Sequence, residues 1–138
     1  MDKALRLLGL MRKANAVAIG ETDTGSAAKS GKAVLICLAS DASENARKRS
    51  ETFAYAQSVP ITRLPYEKQT ISDLVGKAGC SMLAVTDLGF AAAFADALAD
   101  GDQASDHTLA DALRAQQQTR RKRSGGAGVT IGKRRTNV

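Results

Sequence analysis

The chain has very little of what small catalytic or metal-built sites are made from. Its 138 residues include two cysteines, one histidine and no tryptophan, and only 4% are aromatic. Cys37 and Cys80 lie far apart in a sequence without any C-x-x-C pair, and His107 is the single imidazole that could join them. This argues against a disulfide scaffold, a structural zinc site and an iron–sulfur site. No apolar run approaches the ~18 residues of a membrane span. The opening MDKALRLLGLMRKA breaks its apolar residues with Arg6 and has no small-residue cleavage site, so it does not read as a secretory signal. A cytoplasmic protein without membrane contact is expected. Phe53, Tyr55, Tyr66, Phe90 and Phe94 mostly fall on helical apolar faces and form no stacking platform, which disfavours a single-strand binder that reads bases by stacking.

Positive charge is abundant and unevenly placed. Of 20 basic and 14 acidic residues, twelve basic and all fourteen acidic ones lie in residues 1–113, for a net −2. Residues 114–138 hold eight basic and no acidic residues, for a net +8. The chain divides accordingly into a domain of residues 1–113 and a basic tail of residues 114–138. From Gln116 onward apolar periodicity is lost in QQQTRRKRSGGAGVTIGKRRTNV, and the tail is expected to be disordered when unbound.

Within the domain, Ala4, Leu7, Leu8 and Met11 repeat at helical spacing, predicting a first helix that ends near Ala14. Thr22 or Asp23 is placed to cap a second helix stopping at Gly31, and the unalternating run AVLICLA at residues 33–39 reads as a strand buried on both faces. Asp41 and Glu44 have capping-box spacing and open a helix to about Gln57; an extended segment follows at residues 59–64. Ile71, Leu74, Val75 and Ala78 predict another helix, MLAVT at 82–86 another buried strand, and Asp87 the cap of a helix carrying Phe90, Ala91, Phe94 and Leu98. Leu109 and Leu113 add a final turn or two. This alternation predicts a three-layer α/β/α sandwich around a small, mostly parallel sheet.

Candidate chemistry is sparse. GSAAKSGKA at residues 25–33 is not a phosphate-binding loop: its glycines are too far apart, no Ser or Thr follows Lys32, and helix precedes strand. Cys80 reads as a core residue and His107 as an exposed ring, while Asp41, Glu44 and Asp87 sit where helix caps are required. No enzyme activity, cofactor or metal is expected. Arg47, Lys48 and Arg49 read as a solvated helix face with Glu44 and Glu51 as partners. The turn at Gly20, Glu21, Thr22 and Asp23 differs in kind. A glycine-led helix start presents free N–H groups and the positive end of a dipole to phosphate oxygens or base-edge acceptors, although any capped helix start shares these features.

The strings LLGLMRKANAVAIG, GETDTGSAAKSGKAVLICLASDASENARKR and AVTDLGFA resemble the bacterial, YlxQ-type branch of the L-seven-Ae family of kink-turn-binding ribosomal proteins, over about residues 5–98. The resemblance implies an α/β/α sandwich that binds structured, ribosomal RNA at sharply bent internal loops; a monomer is expected. The family's Gly-Thr-Asn-Glu motif, with a Lys three residues later, falls on Gly20, Glu21, Thr22, Asp23 and Ser26, of which only the glycine is retained. The loop that packs on the RNA bend falls on Val75, Gly76, Lys77, Ala78, Gly79 and Cys80. Arg12, Lys13, Lys29 and Lys32 flank these positions, and Arg120, Arg121, Lys122, Arg123, Lys133, Arg134 and Arg135 form the tail's phosphate-binding cations. Some relatives carry this domain behind a YlxR-type domain associated with transcription termination, which makes such a domain a candidate partner in a longer chain. The alternative is a protein-interaction or transcription/translation accessory module on the same fold without kink-turn specificity.

Overall fold

The computed structural model describes residues 2–101 and 107–127. Helix α1 (Lys3–Lys13) is opened by Asp2, whose carboxylate accepts from the Leu5 N–H at 2.8 Å, and it buries Ala4, Leu8 and Met11. A left-handed Asn15 (φ 58°) ends it, and the chain enters β1 (Val17–Ile19). There follow α2 (Glu21–Lys29), β2 (Leu35–Leu38), α3 (Glu44–Ala56), β3 (Ile61–Arg63), α4 (Lys68–Val75), β4 (Met82–Val85), α5 (Leu88–Gly101) and α6 (Thr108–Ala127).

The four strands form one sheet in the order β1-β4-β2-β3. Only β2 and β3 pair in parallel; β4 runs antiparallel to both β1 and β2. The expected mostly parallel sheet is therefore corrected to a mixed one. β1, β2 and β3 do share a direction, as helical crossovers require, but β4 inserts between β1 and β2 and runs against both.

Alternation along the strands assigns the two faces. Val17, Ile19, Leu35, Cys37, Leu83 and Val85 point into the main core with α1, α4 and α5, around a fully buried Phe94. Ile36 and Ala84 point the other way, onto Ala27 and Ala28 of α2 and Ala54 of α3. Helices thus cover both faces. On the second face, a Cβ at Gly25 would stand 2.9 Å from the Phe53 ring, so the missing side chain is what lets α2 approach α3.

Three local expectations change. Gly20, rather than Thr22 or Asp23, is the N-cap of α2. Ser43 caps α3 by accepting from the Ala46 N–H at 3.1 Å, while Asp41 accepts from the Lys68 N–H at 2.8 Å and so serves the start of α4. A hydroxyl closer to the helix takes the capping role, leaving the carboxylate for a helix distant in sequence. Finally, α6 is assigned from Thr108 to Ala127, longer than the final turn or two expected from Leu109 and Leu113. Gln, Arg and Lys lack apolar periodicity but have good helix propensity, and α6 is anchored by buried Ala110 and Leu113.

Asp2 also accepts from the Tyr66 hydroxyl at 2.7 Å, tying the start of α1 to the β3–α4 connection. Burial and this carboxylate push the Tyr66 phenol upward from its ordinary pKa. A raised phenol contributes fully below the ordinary tyrosine range and fades as pH rises above that range toward the raised value. Asp2→Ala removes the cap and the acceptor together, and urea denaturation at neutral pH is expected to show a loss of about 1–2 kcal/mol.

Candidate nucleic-acid interface

Gly20 determines how α2 begins. Its backbone lies at φ 93° and ψ 168°, and its N–H donates to Met82 O at 2.9 Å, fixing the end of β1 to the start of β4. With no side chain on Gly20, no cap covers the first turn of α2. The Thr24 N–H returns to Gly20 O at 2.9 Å, while the N–H groups of Glu21, Thr22 and Asp23 point out along the helix axis, as at any helix start.

The loop after α4 meets this turn. Gly76 (φ 72°) ends α4 in the left-handed region and Gly79 (φ 73°) turns the chain toward β4. Lys77 reaches across from that loop. Its ammonium donates to Ile19 O at 2.9 Å and to Asp23 Oδ2 at 3.1 Å, joining loop, edge strand and helix start. Below it Cys80 is buried, its thiol donating to Lys77 O at 2.9 Å. The final position of the loop motif is therefore a packing residue. On the other side Arg49 Nη1 lies 2.9 Å from Glu21 Oε2. Both carboxylates in the first turn of α2 are thus paired with cations from other elements.

The structure accordingly brings together Gly20, Glu21, Thr22, Asp23, Gly76, Lys77, Ala78 and Gly79, with Val75 and Cys80 buried beneath them. Arg12, Lys32 and Lys77 line one open groove of about 360 Å³ along β1, which also takes in Asn15, Asp23 and Thr86. Lys13, Ser26 and Lys29 are exposed but do not line this groove. Arg120, Arg121, Lys122 and Arg123 fall within the course of α6, and Lys133, Arg134 and Arg135 lie outside the described residues. Arg49, Asn15 and Thr86 also join the site, although nothing local in the sequence marks them. A basic cluster on α3 was visible, but not that Arg49 faces α2 whereas Arg47 bridges Glu44 and Glu51 on its own helix.

Catalytic features are scarce. Burial raises the Cys37 thiol well above its ordinary pKa, which keeps it protonated and unreactive. Among the described residues no group of three or more His, Cys, Asp or Glu is placed to hold a metal ion. Nor is any described helix long and apolar enough to cross a membrane.

A mixed sheet between two helical layers, with an uncapped helix start beside a glycine loop, defines a small α/β protein that offers backbone donors and ordered charge. The chain belongs to the Ribosomal protein L7Ae/L30e/S12e/Gadd45 family, whose model matches residues 2–95. It is 32% identical over 90 residues to a protein named RNA-binding protein YlxQ from Enterococcus faecium, covering 65% of this chain and 85% of that one. A solved structure of a protein of unknown function from Bacillus halodurans superposes with a TM-score of 0.65 at 26% identity, over 71% of this chain and 98% of that one.

Proposed function

We propose that this is a non-enzymatic RNA-binding protein that seats a bent, structured RNA of the kink-turn type, ribosomal in origin, on the start of α2 and the α4–β4 loop. The uncapped Gly20 turn, held beside that loop by Lys77, carries this reading. Its three N–H groups and the helix dipole suit acceptors on RNA, and the name of the Enterococcus relative points to the same partner. The groove cations Arg12 and Lys32 supply phosphate contacts, while selectivity comes from the shape of the turn and loop. Thr22, Asp23 and Ser26 give this surface fewer amide and cationic groups than the family motif. Glu21 and Asp23 are already engaged by Arg49 and Lys77, so base amino groups must compete for them. The tail cations, including Lys133, Arg134 and Arg135, add contacts that carry no sequence information.

The test compares the full chain on a kink-turn RNA and on a straight duplex of equal length at fixed salt. A preference of about tenfold for the bent RNA is expected, equivalent to about 1.4 kcal/mol. Equal affinities would discard shape recognition and favour the accessory-module reading.

A further inference from the structure

Among the described residues β1 and β3 are the edge strands of the sheet, and the sequence treats the two edges differently. The chain's only two prolines, Pro60 and Pro65, lie on either side of β3, and Arg63 is exposed on the strand itself. Proline and charge are the usual means by which an edge is kept from accepting another strand. β1 has neither. Its residues are Val17, Ala18 and Ile19, and an open groove of about 360 Å³ runs along it.

The ladder determines which main-chain groups this edge offers. β1 pairs antiparallel with β4 in the register Val17↔Val85, Ala18↔Ala84 and Ile19↔Leu83. The Gly20 N–H donates to Met82 O at 2.9 Å and the Thr86 N–H to Ala16 O at 2.8 Å, so Ala16, Ala18 and Gly20 turn their main chains to β4. Alternation then turns Val17 and Ile19 to the free edge. The Ile19 C=O behaves accordingly: it accepts from Lys77 Nζ at 2.9 Å. The Val17 N–H, the Val17 C=O and the Ile19 N–H are left on this edge as two donors and one acceptor.

The edge marks the place, and the groove's chemistry selects what can lie on it. Ala18 and Ala27 line it on the α2 side, and their small side chains leave room beside the strand. Arg12, Lys32 and Lys77 also line it, with Asp23 as the one carboxylate. Asp23 pairs with Lys77 at 3.1 Å, while Arg12 and Lys32 make no ion pair among the described residues. A second copy adding β1 to β1 would bring its own three cations against these and be repelled. A phosphodiester accepts from the Val17 and Ile19 N–H groups but donates nothing to the Val17 C=O. A peptide main chain supplies both, at the strand repeat of about 3.3 Å.

We propose that the free edge of β1 accepts an extended, acidic segment of a partner protein as an added strand. Its main chain pairs with Val17 and Ile19, an aliphatic side chain lies over Ala18 and Ala27, and flanking carboxylates meet Arg12 and Lys32. Lys77 already occupies the Ile19 C=O and bounds the added strand at the Gly20 end. The contact spans a strand of three residues, about 10 Å, which suits reversible binding. The inference does not rest on the RNA-binding reading, because it needs the edge of β1 and not the first turn of α2. Arg12 and Lys32 are common to both ligands, so peptide and RNA compete for the groove.

The test uses the full isotope-labelled chain and a short peptide with blocked ends that alternates Glu and Val, read by hydrogen exchange at single amides. Saturating peptide is expected to slow exchange of the Val17 and Ile19 N–H groups at least about tenfold. A peptide alternating Lys and Val should bind at least about tenfold more weakly. N-methylation of one alternate set of peptide residues should abolish the protection, and methylation of the other set should leave it, because only every second residue of an added strand faces the edge. Arg12→Gln with Lys32→Gln, two exposed positions, should weaken the Glu–Val peptide at least about tenfold. Ala18→Leu, which fills the groove and keeps every charge, should do the same. Binding without protection of Val17 and Ile19, or equal loss from both methylated sets, would overturn strand addition. Equal binding of the Lys–Val peptide would overturn the acidic partner, and no binding of either peptide would overturn the inference whole while leaving the RNA-binding reading intact. Protection of the same two amides by a bent RNA would reassign the edge to RNA, and protection that grows with protein concentration alone would reassign it to a second copy.

Discussion

Gly20→Ala is expected to weaken binding to the bent RNA by more than tenfold and to lower the unfolding free energy by about 1–3 kcal/mol. At φ 93° and ψ 168° the residue occupies a region that is essentially closed to any side-chain-bearing residue. Crowding is not the cause, because a Cβ there would meet only the Lys77 ammonium, at 3.9 Å. The cost is backbone strain. Relieving it requires φ to turn negative, which rotates the N–H groups of α2's first turn and breaks the bond from the Gly20 N–H to Met82 O. A hydrogen bond to a charged acceptor contributes about 1.5–3 kcal/mol, so losing even one exceeds a factor of ten. Asn, which tolerates the left-handed helical region, should not rescue the site because the ψ here lies outside that region. RNA titration and denaturation of Gly20→Ala and Gly20→Asn provide the check. Wild-type affinity in either variant would show that the turn is not the reader.

Gly20 also shows how far the site was legible in the sequence. Its place at the head of a helix was visible, as were the loop glycines and the candidate cations, because each is a local signal. The Lys77 bridge was not, since it joins residues 54 and 58 positions apart in the chain and depends on β1 and β4 being neighbours. β1 carries no recognisable signal of its own. Two apolar residues around Ala18 are too short an alternation to identify, and Val17 and Ile19 become a strand only because β4 pairs with them. The direction of β4 was equally hidden, because a strand buried on both faces has the same apolar pattern in either direction. By contrast, the cores of β2 and β4 and the inward faces of α1, α4 and α5 were plain from unbroken or helically spaced apolar residues. Helix α6 went unrecognised past Leu113 because its stability depends on propensity and on anchors at its beginning, so no apolar stripe marks the remainder.

The start of α2 and the main core lie on opposite faces of the sheet, and Phe94→Ala tests how far the recognition surface depends on that core. Phe94 is fully buried in the core between α5, α1 and the sheet, whereas the Gly20 turn opens α2, whose Ala27 and Ala28 pack on the other face. Truncating a fully buried phenylalanine removes its transfer free energy and leaves a cavity, at a combined cost of about 3–5 kcal/mol. Domains are typically stable by about 5–15 kcal/mol, so this single change removes a large fraction of the total. Denaturation is expected to show that loss, with a fall in Tm of at least about 10 °C. Phe94→Leu retains most of the volume and should lose far less, which identifies the cavity as the cause. Affinity for the bent RNA, measured at low temperature where Phe94→Ala remains folded, should stay within a few-fold of wild type, because Gly20 is held by its bond to Met82 O and only the Lys77 loop, through Val75 and Cys80, shares a core with Phe94. A stability loss below about 1 kcal/mol would mean the core has collapsed to fill the space. A parallel loss of affinity would mean that the layer behind the sheet also sets the geometry of the turn.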